Sequence, residues 1–381
     1  MDYACMLKNK TTKNPVRRIG FDLSILDRVQ TGTSVYADNL FTAMAGLDSD
    51  DFEFIALRAP RPLARKNIFT KFINFAIEIA WLFVLLPVKA RRLGLDLYHS
   101  PANSVSPVLR IPQACTIHDA HFITYPAGRD PLWKLYAGWS FRYAARHADR
   151  IICDTNAGKD ELVKLLHADP EKIEVVYLGL PHRESSAADR SATEDLRPYI
   201  LTVGATDPNK NLTSLLKAFT ILVKDGRHAG HRLVLAGPAG RDHSILESII
   251  EQEGLEEHVL LLGRVSDSRL AALYENASLF VFPSFCEGFG FPPLEAMSHG
   301  VPVVASHAPC IPETLGNAAV FFDPHNIPEI ASRIDNVLLD EKLRNDLSLA
   351  GMSRAEKFTW KETAEKTVNI YRFLLDSAQD T

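Results

Sequence analysis

The chain has 381 residues, 46% of them apolar and 23% charged, with a formal net charge of −5 at pH 7. That length points to two domains, the apolar share supports full cores, and the acidic balance argues against a nucleic-acid partner. Five dispersed cysteines, Cys5, Cys115, Cys153, Cys286 and Cys310, make no C-x-x-C pair, which argues against a disulfide framework or a zinc site and fits a reducing compartment.

The opening MDYACMLKNKTTKNPVRR is polar and basic, so no secretory signal is expected. Short apolar runs then alternate with helical stretches. Residues 16–21, 52–57, 95–99, 114–118, 150–153 and 173–178 read as strands, followed after a break by 199–203, 232–236, 259–262, 279–282, 302–305 and 320–322. Runs such as LVLA and LFVF are apolar on both faces, as parallel strands covered by helices must be. Two such blocks predict two doubly wound α/β domains. The break, HRESSAADRSATEDLR, lacks an apolar stripe and reads as a linker. The expected division is 1–182, a linker at 183–197, and 198–381. A last helix near 360–378 has apolar spacing at Ala364, Val368, Tyr371 and Leu374, and could pack on either domain.

Residues 72–88, FINFAIEIAWLFVLLPV, stand apart. They are strongly apolar yet contain Asn74, Glu78 and Pro87, within a basic stretch bounded by Arg61 and Arg92 that includes Arg65, Lys66, Lys71, Lys89 and Arg91. A membrane span needs about 20 residues. Two readings stay open: a core helix of the first domain, or a helix in the membrane interface with Trp81 and the cations meeting anionic headgroups.

The chemistry concentrates in residues 283–300, PSFCEGFGFPPLEAMSHG. A buried strand runs into a glycine turn at Gly288 and Gly290. A helix follows, with prolines at its first positions and Gly300 beyond its end. Main-chain amides at the carboxyl end of a parallel strand form a site for a diphosphate. Glu287 in the loop suits sugar hydroxyls. Glu295, placed in the first helical turn, suits a ribose. Upstream, TIHDAHF puts His118 and Asp119 at a strand end, where α/β domains expose working residues. His118-x-x-His121 with Asp119 has a spacing suited to a helix face, whereas this segment should be a strand end running into a loop, so a metal set is not expected there. QTGTSVY, residues 30–36, forms a strand-to-helix loop in which Gly32 would admit a phosphate or acceptor. Asp48-Ser-Asp50 reads as a solvated turn.

The pattern from Glu287 to Glu295, with seven residues between them inside ExFGxPxxEAMxxGxPV and with Phe291 before Pro292, resembles the signature of the retaining GT4 glycosyltransferases. The likeness extends to residues 30–36, His118-Asp119, residues 202–211 and 266–274. It implies the GT-B fold: two Rossmann-like doubly wound parallel-sheet domains facing a central cleft, with the nucleotide sugar in the C-terminal domain and the acceptor in the N-terminal one. By resemblance, His118, Glu287 and Lys210 are catalytic. Gly32, Asp119, Gly204, Lys210, Arg264, Glu287, Gly288, Phe289, Gly290, Phe291 and Glu295 bind the donor, and no metal or resident cofactor is expected. Relatives often carry a second basic residue before the lysine, where this chain has Asn209, so Arg241 or Arg264 could share the diphosphate charge. The resemblance further implies retaining, metal-independent hexosyl transfer. GDP-mannose is the first donor expectation and a UDP-sugar the second. The expected acceptor is a glycan or a polyprenyl-linked oligosaccharide at the inner face of the membrane, met by a cytoplasmic, peripheral enzyme. The rival readings are a nucleotide-sugar epimerase of similar fold and a catalytically silent membrane-associated binding protein.

Overall fold

The structure, a computed structural model, describes residues 16–27, 32–48, 51–63, 68–124 and 131–377. Gln30 and Thr31 of the first loop, Asp50 of the D-x-D triplet, and the cations Arg65 and Lys66 lie outside these residues, as do the side chains of Lys71 and His121.

Twelve strands are present among the described residues: β1 Arg17–Asp22, β2 Phe52–Leu57, β3 Leu97–Ser100, β4 Gln113–Thr116, β5 Arg150–Cys153 and β6 Ile173–Val175, then β7 Tyr199–Val203, β8 Arg232–Ala236, β9 Val259–Gly263, β10 Leu279–Phe282, β11 Val303–Ser306 and β12 Val320–Phe322. They form two six-stranded sheets, ordered β2-β1-β3-β4-β5-β6 and β12-β11-β10-β7-β8-β9. Every pairing is parallel. The helices are α1 Gly32–Ala45, α2 Ile68–Ala80, α3 Leu86–Leu93, α4 His121–Thr124, α5 Pro131–His147, α6 Asn156–Leu166, α7 Ala187–Glu194, α8 Leu212–Lys224, α9 His243–Glu253, α10 Asp267–Asn276, α11 Phe291–Ser298, α12 Cys310–Leu315, α13 Ile327–Leu339, α14 Glu341–Ala355 and α15 Trp360–Ser377.

The chain divides into two compact units. Among the described residues, the first draws on those up to 123, on 131–179 and on 359–377, and the second on Thr124 and 180–358. The inner strands β3, β4, β10 and β11 are buried along their whole length, and the edge strands β2, β6, β9 and β12 only in part. In the second unit Leu233, Leu235, Leu279 and Val281 pack with Leu215, Leu216 and Phe219 of α8 into one core. The sequence order reverses between β7 and β10, neighbours in the sheet. Such a reversal opens a crevice at the carboxyl ends of the two strands, where open α/β sheets bind ligands.

Several sequence expectations shift. The strand expected at 114–118 stops at Thr116, although the amide of Ile117 still donates to Ile152 O at 2.9 Å. The stretch expected as a linker contains α7, capped by Ser186, whose hydroxyl accepts from the amide of Asp189. Helix α7 needs no apolar stripe because small and polar groups seat it on α10. Thr193 is fully buried and its hydroxyl donates to Ala272 O at 3.3 Å. Helix α15 lies in the first unit. There the Thr363 hydroxyl donates to Tyr177 O at 2.9 Å. A Cβ at Gly179 would lie 2.2 Å from the Trp360 nitrogen, so the approach of this helix requires glycine.

The apolar 72–88 stretch forms the end of α2, a π-helical turn over Trp81–Leu85 and the start of α3. One edge is core: Trp81, Leu82, Leu86 and Ala90 are buried. Trp81 is therefore not a headgroup contact; it is 3% exposed, and its indole N–H donates to Asp22 Oδ2 at 2.9 Å. The rest faces outward, with Phe69, Phe72, Phe75, Phe83, Val84, Leu85 and Val88 exposed. Residues Phe72–Leu93 form a helix long and apolar enough to cross a membrane by length and composition, with only 17% of its apolar window buried.

Candidate active site

The second unit builds its site at the β7/β10 crevice. After β7 the chain passes Gly204, makes a short 3-10 turn over Pro208–Lys210 and enters α8 through Asn211, whose φ is 53°. Asn211 is buried, and its amide donates to Pro283 O at 3.1 Å and Pro324 O at 2.8 Å. The amide of Phe285 donates to Asn209 O at 2.8 Å. These bonds tie the loop after β7 to the loop after β10.

The tie brings Lys210 Nζ to 2.6 Å from Glu287 Oε1, with side chains 20% and 13% exposed. The two residues singled out for diphosphate and sugar thus form a half-buried ion pair. Glycine is required at two points nearby. A Cβ at Gly237 would lie 2.0 Å from Gly204 O, so the ends of β7 and β8 can meet only without one. Gly290 has φ 91° and directly precedes α11. Phe289 is 3% exposed and packs edge-on against Phe291 and Phe358, which anchors the turn. Its side chain is therefore scaffold, and only its main chain is available to a ligand. Pro292 and Pro293 have no N–H. The amides this turn can offer an anion are thus those before Pro292, because the Leu294 amide opens the hydrogen-bond ladder of α11. Gly288 lies between Glu287 and Phe289 in this turn, and Glu287 O accepts from Cys310 Sγ at 2.9 Å.

Glu295 is the fifth residue of α11, one turn deeper than expected and beyond the helix-terminal charge effect. Its carboxylate is compensated by side chains instead. Arg183 Nε donates to Oε1 at 3.4 Å and the Tyr274 hydroxyl to Oε2 at 3.0 Å. Burial raises the Glu295 pKa, and Arg183 and Tyr274 oppose that shift. Of the other cations considered for phosphate, Arg241 pairs with Asp207 at 2.9 Å, and Arg264 is exposed just after β9.

In the first unit His118 lies two residues past β4, next to β5. Its Nδ1 is 2.8 Å from Asp154 Oδ2, and Tyr36 of α1 meets the ring edge-on at 4.7 Å. Asp154 is 2% exposed. Burial pushes the imidazole pKa down, but Asp154, with Asp119 beyond it, carries it above the ordinary histidine value. The other nitrogen, Nε2, is buried and pairs with no side chain of the described residues, while a main-chain contact with Pro101 helps to raise the pKa. A carboxylate that fixes one ring nitrogen and leaves the second for a ligand is a frequent way of orienting a catalytic histidine. Gly32 is the first residue of α1, and a Cβ there would meet nothing within 4 Å, so packing imposes no glycine. Among the described residues no group of three or more His, Cys, Asp or Glu side chains is placed to hold a metal ion.

Sequence reasoning did not find Asp154, Tyr274 or Arg183. Asp154 has a faint signal, since it directly follows the strand beside that of His118. Arg183 has none, because it lies in the stretch taken for a linker.

Comparison with known proteins bears on this geometry. Residues 31–184 match the family described as Glycosyltransferase Family 4, and residues 185–354 match Glycosyl transferases group 1. The O-antigen chain mannosyltransferase B of Escherichia coli is 31% identical over 73% of this chain and 74% of its own length. The serotype-specific mannosyltransferase WbdA of Escherichia coli is 31% identical over 63% of this chain, and the match spans only 29% of that longer protein. Among solved structures, sucrose-phosphate synthase from Thermosynechococcus elongatus superposes with a TM-score of 0.76 at 19% identity, covering 95% of this chain and 100% of that one. Anabaena Alr3699/HepE, in complex with UDP and glucose, gives 0.69 at 18% identity, covering 93% and 99%.

Proposed function

This chain belongs to the family 4, group 1 glycosyltransferases and has their GT-B fold, and from that premise we propose that it transfers mannose from GDP-mannose, with retention at the anomeric carbon. The acceptor we propose is a growing glycan or a polyprenyl-linked oligosaccharide. The observation that carries this reading is the Lys210–Glu287 pair at the carboxyl ends of β7 and β10.

In the proposed reaction the bond from sugar to diphosphate breaks as the acceptor hydroxyl attacks from the same face. The leaving phosphate oxygen takes the hydroxyl proton. Lys210 turns from Glu287 to the diphosphate and stabilises the charge that grows there. Glu287, released, accepts hydrogen bonds from sugar hydroxyls. Glu295 accepts from the ribose. His118 donates through Nε2 to the reacting sugar, with Asp154 holding the ring. Lys210 supplies the positive charge, so no metal ion or resident cofactor is required.

Mannose as the transferred sugar is supported by the printed activities of the relatives, mannosyltransferase B and WbdA. A membrane-borne acceptor is supported by the exposed face from Phe69 to Val88 beside the exposed cations Arg91 and Arg92. A polar headgroup layer would take such a surface, with the enzyme peripheral on the cytoplasmic side. The test is incubation of the chain with GDP-mannose, or with UDP-glucose in parallel, and a synthetic mannosyl acceptor. An α-linked product by NMR, formed equally in EDTA, is expected. A β-linked product, or dependence on a divalent cation, overturns the mechanism. Conversion of the donor to an epimer without transfer would favour the rival epimerase.

A further inference from the structure

We infer that Arg183 is a positioning residue of the nucleotide site, which with the Tyr274 hydroxyl holds the Glu295 carboxylate in place and charged. The inference rests on the reading of Glu295 as the ribose ligand.

Glu295 is 6% exposed. A buried carboxylate with no partner takes up a proton rather than stay charged. The groups facing it are few. Arg183 comes from the segment before α7, and Asp267 and Tyr274 come from α10, with His299 stacked on the Tyr274 ring at 5.5 Å. Arg183 is the cation among them that touches the carboxylate. It is itself only 14% exposed and is braced from its other side by Asp267.

The hydrogen-bond inventory fits a vicinal diol. A carboxylate offers about four acceptor positions. Arg183 takes one on Oε1 and Tyr274 one on Oε2, which leaves one on each oxygen for two neighbouring hydroxyls. A neutral carboxyl group would instead present one acceptor oxygen and one donor, and would match the diol poorly. Arg183 therefore favours nucleotide binding by fixing the charge of Glu295 without touching the ligand.

Titration calorimetry with GDP and with UDP on the full chain between pH 5.5 and 8.5 tests this, using Arg183→Gln, Arg183→Lys, Glu295→Gln and the Arg183→Gln/Glu295→Gln double variant. The expected result is a parent profile set only by the nucleotide's own terminal phosphate, whose second ionisation lies at about pH 6, and each variant is read as its affinity relative to the parent at the same pH. Arg183→Gln should lose about tenfold at pH 8 and progressively more toward pH 5.5, as Glu295 protonates. Arg183→Lys should restore most of the affinity, and Arg183→Gln should cost nothing further in the Glu295→Gln background. A loss in Arg183→Gln that is independent of pH and persists beside Glu295→Gln overturns the inference alone, as does unchanged affinity. If the parent binds neither nucleotide, or Glu295→Gln binds as the parent does, the ribose reading falls and the inference with it. Should Arg183→Gln not fold, Tyr274→Phe removes the other donor and is expected to give the same pH-dependent weakening, while a flat profile relative to the parent counts against it.

Discussion

Lys210 Nζ and Glu287 Oε1 stand 2.6 Å apart at the mouths of two neighbouring strands. Each residue is the other's counter-ion. In the proposed reaction each would meet a different part of the nucleotide sugar, and the pair would hold a cation beside the place where leaving-group charge grows. Removing one partner leaves the other half-buried and uncompensated, so the two single substitutions should differ in their effects.

Lys210→Ala should lower kcat by on the order of 10²–10³-fold, with a smaller rise in donor KM, because its charge matters most in the transition state. Glu287→Gln should raise donor KM and lower kcat, while the double substitution should cost less than the sum of the two. Steady-state kinetics on the four proteins check this. Strict additivity would separate the residues functionally.

Asp154→Asn should lower kcat about 10²-fold with little change in donor KM. Asp154 is what carries the His118 pKa above its ordinary value against burial. Without it burial prevails, and protonated His118 is confined to lower pH. The alkaline limb of the kcat profile should therefore move to lower pH. An unmoved limb would show that His118 titration does not limit the reaction.

His99 predicts acid sensitivity. It is fully buried, with Nδ1 on the Tyr371 hydroxyl of α15 and Nε2 3.0 Å from Thr116 Oγ1. Burial, aided by nearby His118, pushes its pKa down from 6.5 to about 3. The unfolded chain thus binds a proton below pH 6.5 that the folded chain refuses until about pH 3. Stability should fall as pH drops through this window, by up to about 1.4 kcal/mol per pH unit from this group. His99→Gln should flatten that part of the slope in denaturant unfolding measured from pH 7 to pH 4.

The exposed face of α2 and α3 predicts binding to anionic vesicles. Arg91→Glu with Arg92→Glu should weaken binding to phosphatidylglycerol vesicles by about 1 kcal/mol or more per residue, and Phe72→Asp should weaken it as well. Trp81→Phe should leave vesicle binding intact and lower stability by about 1–2 kcal/mol, because it removes the bond to Asp22. Co-sedimentation and thermal melts separate the two effects. Equal vesicle binding by all variants would discount the surface.

Much of this was legible in the sequence because the signals are local. Strands such as LFVF announce burial on both faces, and the glycine turn, prolines and two glutamates lie within a few residues of one another. What was not legible is carried by tertiary approach. Asp154 meets His118 only because β4 and β5 are neighbours, and Arg183 reaches Glu295 only because α7 folds onto α10 through small residues that leave no apolar stripe. Composition drew attention to the 72–88 stretch but could not tell its edges apart. Trp81, an apparent interface residue, faces Asp22, while the phenylalanines around it remain outside.

A thermal-shift series with GDP-mannose, GDP, UDP-glucose and UDP puts the central claim to its most direct trial. One guanine or uracil pair at a hundred times its dissociation constant should stabilise the chain by about 2.7 kcal/mol, and the gain at the same ligand concentration should shrink in Glu295→Gln. If no nucleotide or nucleotide sugar raises the melting temperature, the assignment of the β7/β10 crevice as a donor site is contradicted.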